Sequence, residues 1–335
     1  MVDKLWFSDH WVRWLLAPVL WPLSIVYKYV SEARKQAYHS GNKPVYRAPV
    51  PVVVVGNITA GGNGKTPVVV WLVEKLLQYG MKPGVVSRGY GGKSSVYPLL
   101  LSEKTSVEAC GDEPMLIYQR TGVPVAVDPV RASAVQALLN EGVDIIITDD
   151  GLQHYALARD IEIVVVDGQR RFGNGRYIPY GPMRESLSRL KTVDFVINNG
   201  GQISDNEIGM TLTPQMAVNL ADNRTISVDH LTKPVAFAGI GNPSRFFETL
   251  GRLGVSLVDS KSFSDHQEFD FEDLEAFCSS GDHVIMTEKD AVKCRAFARG
   301  NWWYLPVSAT FQSADEQKVI ELIKKVAEKY GSSFA

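Results

Sequence analysis

The chain has 335 residues, 45% hydrophobic and 21% charged, with 28 glycines and 17 prolines. That balance excludes a disordered, collagen-like or repeat-dominated protein and leaves room for about two globular domains. Lys plus Arg number 35 against 37 Asp plus Glu, a net charge of -2, so no bulk positive charge favours nucleic acid. The cysteines, Cys110, Cys278 and Cys294, form no CxxC pair, which excludes a disulfide framework or a cysteine zinc site and suits a reducing cytoplasm.

Residues 1–40 are the compositional anomaly. Trp6, Trp11, Trp14 and Trp21, four of the seven tryptophans, crowd the first 21 residues beside Phe7, Leu15, Leu16, Val19 and Leu20. The uncharged run between Arg13 and Lys28 would span only about 21 Å as a helix, short of the ~30 Å hydrocarbon core. Pro18 and Pro22 are expected to interrupt such a helix, and Lys28, Arg34 and Lys35 follow it with cations. The pattern predicts an amphipathic segment lying in a membrane interface, with Phe7, Trp11, Trp14, Leu15 and Pro18 on one face. Packing on the domain's own core is one alternative; a secretory signal is the other, disfavoured because only Ser31-Glu32-Ala33 approaches a cleavage site and Lys28 intervenes.

Apolar runs of strand length then alternate with longer amphipathic stretches, the pattern of a parallel βαβ sheet. Strands are predicted at 51–55, 84–87, 124–127, 144–148, 161–166 and 195–197, with helices at 67–79, 114–120 and 131–140 between them. Polar, irregular sequence follows, and a second alternation has strands at 235–240, 255–259, 283–286 and 303–307. The expected organisation is a nucleotide-binding unit over 41–204, a β-rich connector over 205–232 and a smaller α/β unit over 233–335.

The chemistry begins after the first strand, at Gly56-Asn57-Ile58-Thr59-Ala60-Gly61-Gly62-Asn63-Gly64-Lys65-Thr66-Pro67. Gly64-Lys65-Thr66 is the end of a phosphate-binding P-loop. Small residues let successive backbone N–H groups wrap a phosphate, Lys65 reaches the β and γ phosphates, and the Thr66 hydroxyl ligates magnesium. Pro67 suits the first turn of the following helix. The strict pattern has Gly five residues before Gly64, where this chain has Thr59. A glycine-rich turn would explain the loop alone, but the apolar strand before it and the amphipathic helix after it favour nucleotide binding. The strand Ile145-Ile146-Ile147-Thr148 ends in Asp149-Asp150, which resembles the acidic strand end that holds magnesium opposite a P-loop.

Those parts leave the phosphate chemistry open. A GTPase would carry an [NT]KxD motif, and both Asn42-Lys43-Pro44-Val45 and Thr232-Lys233-Pro234-Val235 lack its Asp. An ATPase that drives metal or protein assembly and a non-catalytic lipid-binding protein are the other classes; intact Lys65, Thr66 and Asp149 disfavour the second. Further polar clusters stand at 87–92, 110–114, 151–154, 181–185 and 264–267, mostly just after predicted strands, where doubly wound sheets bind ligands.

In this order the clusters resemble the tetraacyldisaccharide 4'-kinase family of lipid A biosynthesis over nearly the whole chain. The most specific pieces are Gly61 to Thr66, SRGYG at Ser87 to Gly91, GDEP at Gly111 to Pro114, DDGxQH at Asp149 to His154, and Thr287-Glu288-Lys289-Asp290-Ala291-Val292-Lys293. Thr at position 59 is ordinary in that family. The resemblance implies a P-loop NTPase-like doubly wound parallel sheet, a smaller second α/β domain and an interfacial amino-terminal helix. It implies transfer of the ATP γ-phosphoryl group to the 4'-hydroxyl of a tetraacyl disaccharide 1-phosphate, with Mg2+. A monomer held peripherally at the cytoplasmic face of the bacterial inner membrane is expected. Position by position, Thr59, Ala60, Gly61, Gly62, Asn63, Gly64, Lys65, Thr66 and Gln153 would bind nucleotide. Thr66, Asp149 and Asp150 would hold the metal. Asp112 would be the base near the attacking hydroxyl, with His266 from the second domain and Lys65 completing catalysis. Arg88, Tyr90, His154, Arg184 and Glu185 would face the acceptor.

Overall fold

The computed structural model describes residues 2–269 and 271–331. Among them, nine strands form one sheet in the order Val307–Phe311, Glu207–Pro214, Phe195–Asn199, Ile161–Asp167, Val52–Gly56, Ile145–Asp149, Pro83–Ser87, Val125–Val127 and Leu99–Leu100. Val52–Gly56 is four valines and a glycine, buried on both faces, which is what a central parallel strand demands. The two-residue period divides it: Val53 and Val55 join the core beneath helices Lys65–Gln78, Asp112–Thr121 and Ser313–Glu328, while Val52 and Val54 join the core beneath helix Arg131–Asn140. Its neighbours run parallel, with Val55 in register with Asp149 and Gly56 with Val164. Because parallel neighbours need crossover helices, the loops at the carboxyl ends of these strands gather along one crevice. This is the parallel α/β architecture expected from the alternation.

A second sheet of six strands has the order Thr225–Ile226, Ala217–Asn219, Trp302–Leu305, His283–Thr287, Pro234–Ala238 and Asp259–Ser262. Its core packs Phe246 and Leu250 of helix Pro243–Arg252 on one face and Leu274 with Ala291 on the other. The chain divides differently from the expected boundaries. Glu207–Pro214, inside the expected connector, is a strand of the first sheet. Val307–Phe311 and Ser313–Glu328, inside the expected second unit, also return to the first sheet. The reason is apolar periodicity at the carboxyl terminus: Val319, Ile320, Ile323, Val326 and Ala327 form one helical stripe that is buried there, and Phe311 lies against Trp71 with ring centroids 4.3 Å apart. The two crossings between sheets run side by side, Gln215 N donating to Pro306 O at 2.9 Å.

A short helix, Val2–Trp6, precedes a long one, Val12–His39, which continues through Pro18 and Pro22. The expected interruption does not occur. Each proline removes one hydrogen bond, and the carbonyls left without it belong to Trp14 and Pro18, themselves on the exposed side, where solvent satisfies them. The inner face of this helix is polar and aromatic. Ser24 is buried, Tyr27 lies against Tyr177, Ser31 Oγ donates to Arg184 O at 3.3 Å, Lys35 Nζ stands 3.5 Å from Glu185, and Tyr38 lies against Tyr155. The apolar residues face outward: Trp11 is 65%, Trp14 70% and Leu15 66% exposed, and the stripe continues through Val19, Leu23, Val26 and Val30. Phe7 is not part of it; it precedes the long helix and sits under the Arg170 guanidinium. Lys35 likewise turns inward to Glu185 and does not join the outer cations. Among the described residues, no helix is long and apolar enough to cross a membrane.

Candidate active site

The crevice is lined first by the loop that follows Val52–Gly56. Gly64, with φ +89°, closes the loop and caps helix Lys65–Gln78; an added Cβ would run into the Asn199 amide. Asn63 is buried, donates from Nδ2 to Thr59 Oγ1 at 2.8 Å, and accepts on its carbonyl from Asn199 Nδ2 at 3.0 Å. Thr59 therefore has a physical role that the usual glycine would lack: its hydroxyl satisfies the buried Asn63. Ala60 N donates to Pro182 O at 2.7 Å, and Ile58 O accepts from Arg184 N, so the 182–185 segment braces the loop from outside. Gly62 meets Gly241 of the second sheet so closely that a Cβ on Gly241 would lie 2.7 Å from Gly62 N. Lys65 is buried with Nζ 3.6 Å from Asp150 Oδ1, and Thr66 is the second residue of the helix. The Ala60 amide is thus occupied by Pro182, and the features suited to an anion are the helix amino terminus and the Lys65 ammonium beside it.

The adjacent acids have different surroundings. Asp150, with φ +51°, accepts from Arg184 Nη1 at 3.0 and 3.1 Å and faces Lys65. Burial would raise its pKa, but Lys65 and Arg184 outweigh burial and hold it at about 2. Asp149 is 1% exposed, and both its carboxylate oxygens are buried with no hydrogen-bond partner. Burial, aided by the charge of Glu113 and only partly opposed by Lys65, raises its pKa well above the usual carboxylate range. Two unfilled oxygens on the strand registered beside the P-loop strand fit a divalent cation. Among the described residues no three His, Cys, Asp or Glu side chains gather into a metal cage. Magnesium does not need one, because it keeps water and phosphate oxygens as ligands.

Asp112 starts helix Asp112–Thr121 of the first sheet, and His266 sits in a turn of the second, with φ +60°. Their side chains meet: His266 Nδ1 lies 3.1 and 3.2 Å from the two Asp112 oxygens. A carboxylate can only accept, so Nδ1 carries the proton. Burial would raise the Asp112 pKa, but the His266 hydrogen bond and the Lys289 charge hold it below the usual carboxylate range. For His266, burial and Lys289 favour the neutral ring, and the Asp112 contact outweighs them to raise its pKa. Tyr90 is exposed and lies against the His266 ring, centroids 4.9 Å apart.

Arg88 is exposed beside this face. His154 is half-buried among Arg131, Arg159, Arg34 and Arg88; burial first and those cations second bring its pKa down to about 4, so it is neutral at pH 7. Gln153 donates from Nε2 to Asn57 O at 2.9 Å and to Glu185 Oε1 at 2.8 Å. Glu185 itself is buried, with Lys35 and Arg189 as its cations. Sequence inspection missed Arg131. It is 2% exposed, donates to Asp128 O at 3.0 Å, keeps a buried Nε without a partner, and is drawn down to about 10 by burial despite the charges of Asp150 and Asp149. A lone Arg at the start of a helix reads as solvated surface, and only the fold turns it inward.

Residues 16–328 match the family described as Tetraacyldisaccharide-1-P 4'-kinase. Proteins named tetraacyldisaccharide 4'-kinase from Vibrio campbellii and Vibrio cholerae are 59% and 60% identical over 335 residues, covering 100% of both chains in each case. A crystal structure of LpxK from Aquifex aeolicus in complex with ATP superposes with a TM-score of 0.76 at 27% identity, covering 94% of this chain and 99% of that one. On the fold and on matches of this extent, the chain belongs to the tetraacyldisaccharide-1-P 4'-kinase family.

Proposed function

We propose that the crevice between the two sheets transfers the γ-phosphoryl group of ATP to the 4'-hydroxyl of a tetraacyl disaccharide 1-phosphate, the kinase activity of the family in lipid A biosynthesis. The observation that carries the division of roles is the Asp112–His266 pair, assembled from both sheets beside a buried P-loop lysine. Lys65 and the loop amides take the β and γ phosphates and align the γ-phosphorus. Asp112, kept ionised, accepts the proton as the sugar oxygen attacks, while His266 holds the carboxylate in orientation. Thr66 and Asp149 are the residues to hold magnesium, which when bound supplies neutralisation of phosphate charge. Asp150 is tied to Arg184 and orients Lys65. Tyr90, Arg88, His154 and Arg131 make the acceptor side. Phosphoryl transfer gains mainly from alignment and charge neutralisation, and this arrangement supplies both. The test is transfer of labelled γ-phosphate from ATP to the disaccharide phosphate in detergent micelles; ATP hydrolysis with no labelled lipid would refute the assignment in favour of an ATPase.

The acceptor carries several acyl chains and stays in a bilayer, so the enzyme must come to it. The outward stripe of helix Val12–His39 is suited to lie in the headgroup layer of the inner membrane's cytoplasmic face, where ATP is available. Each apolar side chain buried there contributes ~1.5 to 3 kcal/mol at an ideal hydrophobic site. Replacing Trp11, Trp14 and Leu15 together by Ser is expected to release the protein from liposomes and raise KM for the lipid acceptor, with ATP binding unchanged. Co-sedimentation equal to the parent's would show that docking lies elsewhere.

A further inference from the structure

The motif Thr287 to Lys293 has no role in the chemistry so far, yet it forms the platform under the catalytic turn. Thr287 caps helix Glu288–Cys294, its hydroxyl accepting from Asp290 N. Asp290, fully buried, accepts from Gly239 N at 2.9 Å and pins the helix to the second sheet. Lys293 Nζ reaches Gln267 O at 3.3 Å, one residue past His266. Lys289 reaches further. Its Nζ lies 2.9 Å from Glu113 Oε1, 3.0 Å from Asp265 Oδ1, 3.5 Å from His266 Nε2 and 3.8 Å from Asp112 Oδ2.

One ammonium thus touches both sides of the cleft: Asp112 and Glu113 on the first sheet's helix, Asp265 and His266 on the second sheet's turn. We propose that Lys289 is a positioning residue of the phosphoryl transfer, holding the His266 turn of one sheet against the Asp112 helix of the other. This rests on Asp112 being the base. The physical case has three parts. His266 occupies a left-handed backbone conformation that most side chains avoid, so its turn needs outside support, and Lys289 and Lys293 provide it from one helix. Three carboxylates crowd the junction, and without a cation among them they would repel and open it. Lys289, with its side chain 14% exposed, brings its charge near Nε2, which among the neutral ring forms favours the one with its proton on Nδ1, facing Asp112.

The groups around the Asp112 carboxylate are His266 and Asp265 from the turn, Lys289 and Lys293 from helix Glu288–Cys294, Glu113 on its own helix, and the buried Cys110 thiol on the helix before it. Removing Lys289 leaves Asp112 with one fewer cation and two acidic neighbours, so its protonation moves to higher pH. Lys289→Met is therefore expected to lower kcat about 10- to 100-fold, change KM for ATP little, and shift the acid limb of kcat/KM upward. In an Asp112→Ala background the same substitution should cause no further loss. A limb that does not move, parent-like kcat, or an equal additional loss in the Asp112→Ala background would each overturn the proposal. If the Met variant fails to fold, Lys289→Arg decides. A guanidinium keeps the charge but not the compact point geometry, so the limb should stay in place while kcat falls at least about threefold; unchanged kcat overturns the proposal. Should Asp112→Ala itself retain parent activity, the assignment of the base fails instead, a separate outcome.

Discussion

Lys65→Ala is expected to lower turnover about 30- to 1,000-fold, a loss of ~2 to 4 kcal/mol in transition-state stabilisation, while the protein stays folded. The side chain is buried and faces the phosphate site, so its ammonium meets charge that grows on the transferring group. Folding survives because the partner left behind is not stranded: Asp150 keeps both hydrogen bonds from Arg184. Thr66→Ala should act in the same direction through loss of the hydroxyl proposed to hold magnesium. ATP affinity should fall less than turnover, since the loop amides and the helix terminus remain. Steady-state kinetics with a parallel thermal melt checks this, and near-normal turnover in either folded variant would refute the assigned roles.

The second large effect is a failure of additivity. Asp112→Ala and His266→Ala should each lower kcat substantially, and the double variant should lose far less than the product of the two single losses. With Nδ1 against both carboxylate oxygens, His266 has value to the reaction mainly through Asp112, so once either is gone the other has little left to do. The pH dependence has a definite sign. Because His266 and Lys289 hold Asp112 below the usual carboxylate range, its carboxylate remains ionised down through mildly acidic pH, and activity is expected to fall as pH drops through that depressed pKa. His266→Ala removes the leading favourable contact and should move the acid limb upward. Fully multiplicative losses in the double variant would show two independent groups.

Local sequence carries strong information where one short segment performs one task. The run Val52 to Val55 followed by Gly61 to Thr66 names a buried strand, a turn and a helix start within fifteen residues, because a glycine-rich turn, a helix start and a lysine suited to phosphate all lie in one short segment. The alternation of apolar runs with amphipathic stretches likewise identifies a parallel α/β protein, since burial on both faces leaves no polar positions in the strands. The tryptophan cluster marked an unusual amino terminus, but composition could not say that the helix runs through two prolines or that its polar side packs inward; that depends on the partners Tyr177, Glu185 and Tyr155, far along the chain.

Pairings across long sequence separation belong to the tertiary structure alone. Asp112 and His266 stand 154 positions apart, and their contact exists because two sheets close on each other. The same holds for Lys289 on Glu113 and for the inward turn of Arg131, neither of which has a local signature beyond ordinary charge. Adjacent Asp149 and Asp150 look equivalent in sequence. Tertiary structure separates them, because the strand ends between the two: the first stays in the extended, fully buried register with empty oxygens, and the second turns left-handed into the arms of Arg184 and Lys65. Sequence determined the fold class and the phosphate loop of this protein, since both rest on near-neighbour periodicity and backbone geometry. Packing of distant segments decided which carboxylate is left without a hydrogen-bond partner, which histidine faces Asp112, and where the carboxyl-terminal helix returns, because burial and charge pairing depend on what the rest of the chain brings alongside.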